Sequence, residues 1–111
     1  MLPSERRRYE RVSFPMALTV VDLLRRQQYA GHGIDLSLWG IGFYVERFLE
    51  AGTRVALVLR LRGAEAAEAE PIEAIVRWAR VEAGGAIVGA EFSQALSPAY
   101  HSHLYEAICS R

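Results

Sequence analysis

Two stretches of the chain carry side chains whose types and spacing could do chemistry. Arg7-Arg8-Tyr9-Glu10-Arg11 sets three guanidinium groups close together, and Asp35-Leu36-Ser37-Leu38-Trp39-Gly40 sets a carboxylate and a hydroxyl beside a glycine. A guanidinium fork matches two oxygens of a phosphate and, equally well, the O6/N7 acceptor pair of guanine. Asp35 and Ser37 are two apart, so on an extended backbone their side chains would share one face and could accept from the N1–H and N2 amino edge of guanine. Gly40 would let the backbone turn close to such a ligand. The plainer alternatives are a solvated basic tail for the first stretch and an Asx-type turn, in which Asp35 caps its own backbone, for the second.

Other chemistry finds little support. His101 and His103 are i, i+2 on an expected helix and point to different faces, and His32 stands apart from both. The single Cys109 has no partner for a disulfide or a thiolate metal site. No nucleophile and base are arranged for covalent catalysis, so the chain is read as a non-enzyme with no metal and no cofactor. Among the aromatics, Tyr9, Trp39 and Trp78 are candidates for stacking on a base, each worth roughly 1–3 kcal/mol. Trp78 fits the core or rim of the fold better than a stacking role, and Trp39 could cap the fold's mouth or face a partner.

All thirteen basic residues are Arg, and they balance thirteen acidic ones. The balance is uneven along the chain: Arg6, Arg7, Arg8, Arg11, Arg25 and Arg26 crowd the first 26 residues, whereas residues 63–91 hold six Glu and only Arg77 and Arg80. Such a local patch acts mainly within a Debye length of about 8–10 Å, which suits a small anion better than a long polyanion. Nucleic acid is disfavoured as a partner for the same reason. No apolar run is long enough to span a membrane and the first residues lack the apolar core of a signal peptide, so a cytoplasmic location is expected.

These residues must be positioned by strands. At 111 residues, 51% of them hydrophobic, the chain suits a single domain with a real core. Phe14–Leu24, Tyr29–Leu36, the run from Ile41 to Val45, the run from Val55 to Leu61, Ile72–Val81 and Ala86–Phe92 read as strands. The alternation of Val55, Leu57, Leu59 and Leu61 with Arg54, Ala56, Val58 and Arg60 is the cleanest. Glu82-Ala83-Gly84-Gly85 reads as a hairpin turn, and Ser97-Pro98 as the start of a helix over residues 97–109. Six short strands without crossover helices imply an all-β fold, an antiparallel barrel whose closure removes exposed edges, with one terminal helix. Residues 1–13 are expected as a flexible arginine-rich arm, residues 14–92 as the barrel.

Arg7 and Arg11 in an RxxxR arrangement, followed by Asp35, Ser37 and Gly40 as DxSxxG, resemble the PilZ domain, the bacterial receptor module for cyclic di-GMP. Val76-Arg77-Trp78 and Gly89-Ala90-Glu91-Phe92 look like the later strands of that family, so the likeness extends over nearly the whole chain. The resemblance implies a six-stranded barrel with a C-terminal helix and a cyclic di-GMP site made by Arg7, Arg8, Arg11, Asp35, Ser37 and Gly40. It also implies that the ligand reorders the arginine arm and signals to an effector protein. Two rivals remain open: a PilZ-like adaptor that docks on a partner without nucleotide, and an oligonucleotide-binding barrel.

Overall fold

A computed structural model describes residues 11–59 and 71–97. Seven strands are present among them: β1 (Val12–Ser13), β2 (Ala17–Asp22), β3 (Gln27–Leu36), β4 (Gly40–Val45), β5 (Arg54–Leu59), β6 (Ile72–Glu82) and β7 (Gly85–Phe92). All neighbours are antiparallel. Hydrogen bonding runs β3-β2-β5-β6-β7-β4 and returns through a β3–β4 pairing, so strands β2 to β7 form a closed six-stranded barrel. Closure leaves these strands no free edge, which is how a small β protein avoids edge-to-edge association.

The short β1 corrects two expected boundaries. Val12 pairs with Leu36 and Ser13 with Asp35, so the ladder on β3 begins inside the segment assigned to the arm. Phe14, Pro15 and Met16 then face only Gly33 and Ile34 before β2 resumes with Ala17 opposite His32. Pro15 has no N–H to donate, and the chain bulges there while Phe14 N donates to the Ile34 carbonyl and Gly33 N to that of Met16. The first expected strand is therefore one strand interrupted by a bulge. The turn that follows also comes two residues earlier than the sequence suggests: β2 ends at Asp22, Arg26 N donates to the Asp22 carbonyl, and Gln27 and Gln28 already belong to β3.

The barrel interior follows the alternation. Val20, Ile41, Phe43, Val55, Leu57 and Val88 are fully buried, each apolar side chain of this kind contributing about 1.5–3 kcal/mol of transfer free energy. Leu49 and Leu96, from the loops after β4 and β7, are buried with the same core cluster. At the β6–β7 hairpin, Ala83 and Gly84 both take positive φ, as a two-residue type I′ turn requires. The expected helix over 97–109 lies, apart from Ser97, outside the described residues.

Candidate functional site

Asp35 sits near the end of β3, where its side chain faces outward. Its Oδ1 accepts from the Gly42 backbone N–H at 3.0 Å and from Arg11 Nη1 at 2.8 Å. Sequence reasoning placed Arg11 and Asp35 in one site across 24 positions of chain, and the structure brings them into direct contact. Both side chains are open to solvent, with 47% and 36% of their surface exposed. Asp35 Oδ2 has no hydrogen-bond partner among the described residues.

Ser37 is placed differently from the expectation. β3 ends at Leu36, so the period-two rule stops applying one residue too early for Ser37 to share a face with Asp35. Its side chain is 2% exposed. The hydroxyl accepts from the Trp39 and Gly40 N–H groups at 3.2 and 3.1 Å and sits 3.4 Å from the Gly40 carbonyl. Ser37 thus builds the turn that launches β4 at Gly40. Trp39, at the turn, has a half-exposed side chain, and its carbonyl accepts from the Phe92 N–H.

Trp78 is the larger correction. A core placement is ruled out for it, since it is 50% exposed and lies on the outer face of the barrel. A bulge between Val76 and Trp78 inserts Arg77 and reverses the in-out alternation that continuing from Ile72, Ala74 and Val76 would predict.

Register then joins these residues into one surface. Asp35 pairs with Gly42, Gly42 with Gly89, and Gly89 with Trp78, and directly paired residues share a face. The row crosses β3, β4, β7 and β6 with two glycines at its centre. The rows on either side carry larger groups: His32, Tyr44, Ile87 and Arg80 on one, and Glu91 and Ile75 with the bulged Arg77 on the other. The result is a shallow trough whose two glycines are overlain by the side chains from its ends, Asp35 over Gly42 and Trp78 over Gly89. A Cβ on Gly42 would stand 2.6 Å from Asp35 Oδ1, and one on Gly89 would collide with the Trp78 indole. Since facing Cβ positions lie about 4.5–5.5 Å apart, the carboxylate and the indole stand within about 10 Å of each other. Arg77 Nε donates to Glu91 Oε2 at 3.0 Å along the edge, so its charge is already matched.

Gly42 and Gly89 were not singled out from the sequence as site residues. The available signal was glycine inside a strand, which often marks a close approach of other groups to the backbone. Arg7, Arg8 and Tyr9 lie outside the described residues. No group of three or more His, Cys, Asp or Glu suited to a metal ion occurs among the described residues, and no described helix is long and apolar enough to cross a membrane.

The sequence pattern of the PilZ domain matches residues 5–109. The chain belongs to the PilZ domain family. Among solved structures, the PilZ domain with c-di-GMP of YcgR from Escherichia coli superposes with a TM-score of 0.70 at 23% identity, covering 95% of this chain and 90% of that one. The Bacillus subtilis inhibitor of motility, MotI/DgrA, superposes with a TM-score of 0.66 at 19% identity, covering 90% of this PilZ domain and 48% of that protein. This chain therefore spans about half of the latter. At these identities the two likenesses speak to the barrel fold. No curated protein sequence matches the chain.

Proposed function

We propose that this PilZ domain is a receptor for cyclic di-GMP, with no catalytic activity, that binds the dinucleotide on the outer face of β3, β4, β7 and β6. The observation that supports it most is the Arg11–Asp35 contact at one end of a glycine-floored trough whose other end is an exposed indole. A flat base needs a stacking face, an acceptor for its N1–H and N2 edge and a cation for its phosphate; the trough offers the first two within about 10 Å of each other, with the Arg11 cation 2.8 Å from the acceptor. Family membership and the c-di-GMP held by the YcgR PilZ domain favour the same ligand.

In this reading Arg7, Arg8 and Arg11 engage phosphate oxygens and the guanine O6/N7 pair. Asp35 accepts from the guanine edge, Oδ2 being open to it. Trp78 stacks, with Tyr9 and Trp39 as further candidates. Ser37 and Gly40 contribute by fixing the turn. Binding draws the arginine arm across the trough, and the changed surface is what an effector protein reads. The location follows as cytoplasmic, where the second messenger is made. Calorimetric titration with cyclic di-GMP beside a short oligonucleotide tests it: saturable binding of the dinucleotide alone is expected, binding of neither favours the nucleotide-free adaptor, and tight binding of the oligonucleotide favours the nucleic-acid barrel.

A further inference from the structure

The Trp78 indole does not stand free over the trough. Its Nε1, Cε2 and Cζ2 atoms occupy the space that a side chain on Gly89 would take, and they are the three nearest atoms to that position. Gly89 is directly opposite Trp78 across the β6–β7 ladder. The indole is half exposed, as expected when one side rests on backbone and the other is open to solvent. No other described group comes as close to the Gly89 Cβ position, so the ring lies as low as it does only because Gly89 has no side chain.

We infer that Gly89 is a positioning residue: by having no side chain it seats the Trp78 indole against the strand and turns it into a one-sided platform for a flat ring. The inference rests on the receptor reading for its functional consequence, but the seating itself is a property of the free protein. A Cβ at Gly89 would lift the ring off the strand, wet both of its faces and move its stacking surface away from the height set by the Asp35 carboxylate. Any residue other than glycine has the same effect, because the collision begins at the first carbon. A β-strand accepts alanine without backbone penalty, so the cost falls on the ring and not on the fold.

The chain has two tryptophans, so Trp39→Phe leaves Trp78 as the only indole emitter. In that background Gly89→Ala should raise acrylamide quenching of Trp78 and lower its emission anisotropy without ligand; unchanged quenching and anisotropy overturn the seating. With cyclic di-GMP as the probe, Gly89→Ala in the otherwise unaltered chain should weaken binding by about five- to a hundredfold, matching Trp78→Ala. The double variant Gly89→Ala/Trp78→Ala should lose no more than either single variant. It also serves as the folding control, since removing the indole vacates the space the new methyl needs. Multiplying losses overturn a role through Trp78. If the unaltered chain binds no cyclic di-GMP, the receptor reading fails while the quenching result still decides the seating.

Discussion

Arg11 Nη1 and the Gly42 backbone N–H converge on the same oxygen of Asp35, at 2.8 and 3.0 Å. Asp35 is thereby held against the barrel wall by a bond that folding supplies, while Arg11 is held by an ion pair open to solvent. The two bonds differ in what it costs to break them. An exposed pair is worth about 0–1 kcal/mol, whereas a charge-assisted bond from arginine to phosphate or guanine is worth about 1.5–3 kcal/mol. A ligand can therefore take Arg11 from Asp35 at a net gain, with the carboxylate still aimed by Gly42.

Arg11→Ala should accordingly lower the stability of the free protein by less than about 1 kcal/mol while weakening cyclic di-GMP binding about tenfold or more. Arg11→Lys should restore part of the affinity, since it keeps the charge and loses the fork. Denaturant unfolding and calorimetry on the same preparations check both halves. Unaltered affinity in an Arg7→Ala/Arg11→Ala double variant would sink the receptor reading.

Asp35 and Ser37 should behave differently although they belong to one motif. In the receptor reading Asp35→Ala removes the proposed acceptor for the guanine edge, so the variant should discriminate poorly between cyclic di-GMP and cyclic di-AMP. Ser37→Ala strips the buried acceptor of the Trp39 and Gly40 N–H groups, which should cost about 1–3 kcal/mol of stability and weaken both ligands alike. Paired dissociation constants and melting curves separate the two roles. A Ser37→Ala protein of unchanged stability that has lost selectivity would show that the hydroxyl reads the base after all.

Asp22 gives the fold a dependence on pH. Its side chain is 1% exposed, and burial alone would raise its pKa. The Arg25 backbone N–H, the Arg25 guanidinium and the Leu24 N–H outweigh that cost and hold the carboxyl below its ordinary value of 3.8. A pKa lower in the folded than in the unfolded chain means stability that is complete above the unfolded value and is lost as pH falls toward the folded one. Acid unfolding should therefore gain a component below about pH 4 that Asp22→Asn removes. At neutral pH the same substitution should cost about 1–3 kcal/mol, since it discards charge-assisted bonds to the turn. Urea midpoints measured from pH 7 to pH 3 provide the check; parallel curves for the two proteins would contradict it.

Strand placement was legible where the in-out period runs undisturbed, as in Val55, Leu57 and Leu59 or Ile41, Phe43 and Val45. Which face a side chain takes was not legible where a bulge changes the count. Arg77 adds a residue to β6 and sends Trp78 outward, Ile34 does the same in β3, and the Phe14–Met16 bulge divides the first expected strand. A bulge is decided by pairing with another strand, so one strand's own pattern does not announce it. The motif residues were legible as types, and Arg11 with Asp35 as a contact. Ser37 was misplaced because extended backbone was assumed one residue too far. The glycine floor needed the register of four strands at once.

Ionic strength separates a dinucleotide from a polymer. Cyclic di-GMP carries two phosphate charges and no condensed counterion sheath, so its affinity should fall only mildly between about 50 and 200 mM salt. A surface neutralising six or more phosphates of a nucleic acid would lose roughly a thousandfold over that range. A steep slope accompanying tight oligonucleotide binding would transfer the trough to the nucleic-acid reading.

The last expectation concerns how binding becomes a signal. Arg6, Arg7, Arg8 and Arg11 fall within six positions with almost no apolar residue among them, and Arg11 has its charge matched by Asp35, so repulsion among the other three is expected to oppose an ordered arm until an anion binds. The ladder on β3 begins directly afterwards, at Val12, which anchors the segment beside Asp35. Phosphate and guanine contacts would supply the free energy that orders it, and the measured affinity should be correspondingly lower than the contacts suggest. Trypsin cuts after arginine, so the free protein should be cleaved rapidly within Arg6–Arg11 and the saturated protein slowly, while hydrogen exchange in the barrel strands changes little. The protection should vanish in Arg7→Ala/Arg11→Ala at the same ligand concentration. An Arg6–Arg11 segment equally resistant with and without cyclic di-GMP would mean that the arm is already folded and that an effector must read some other change.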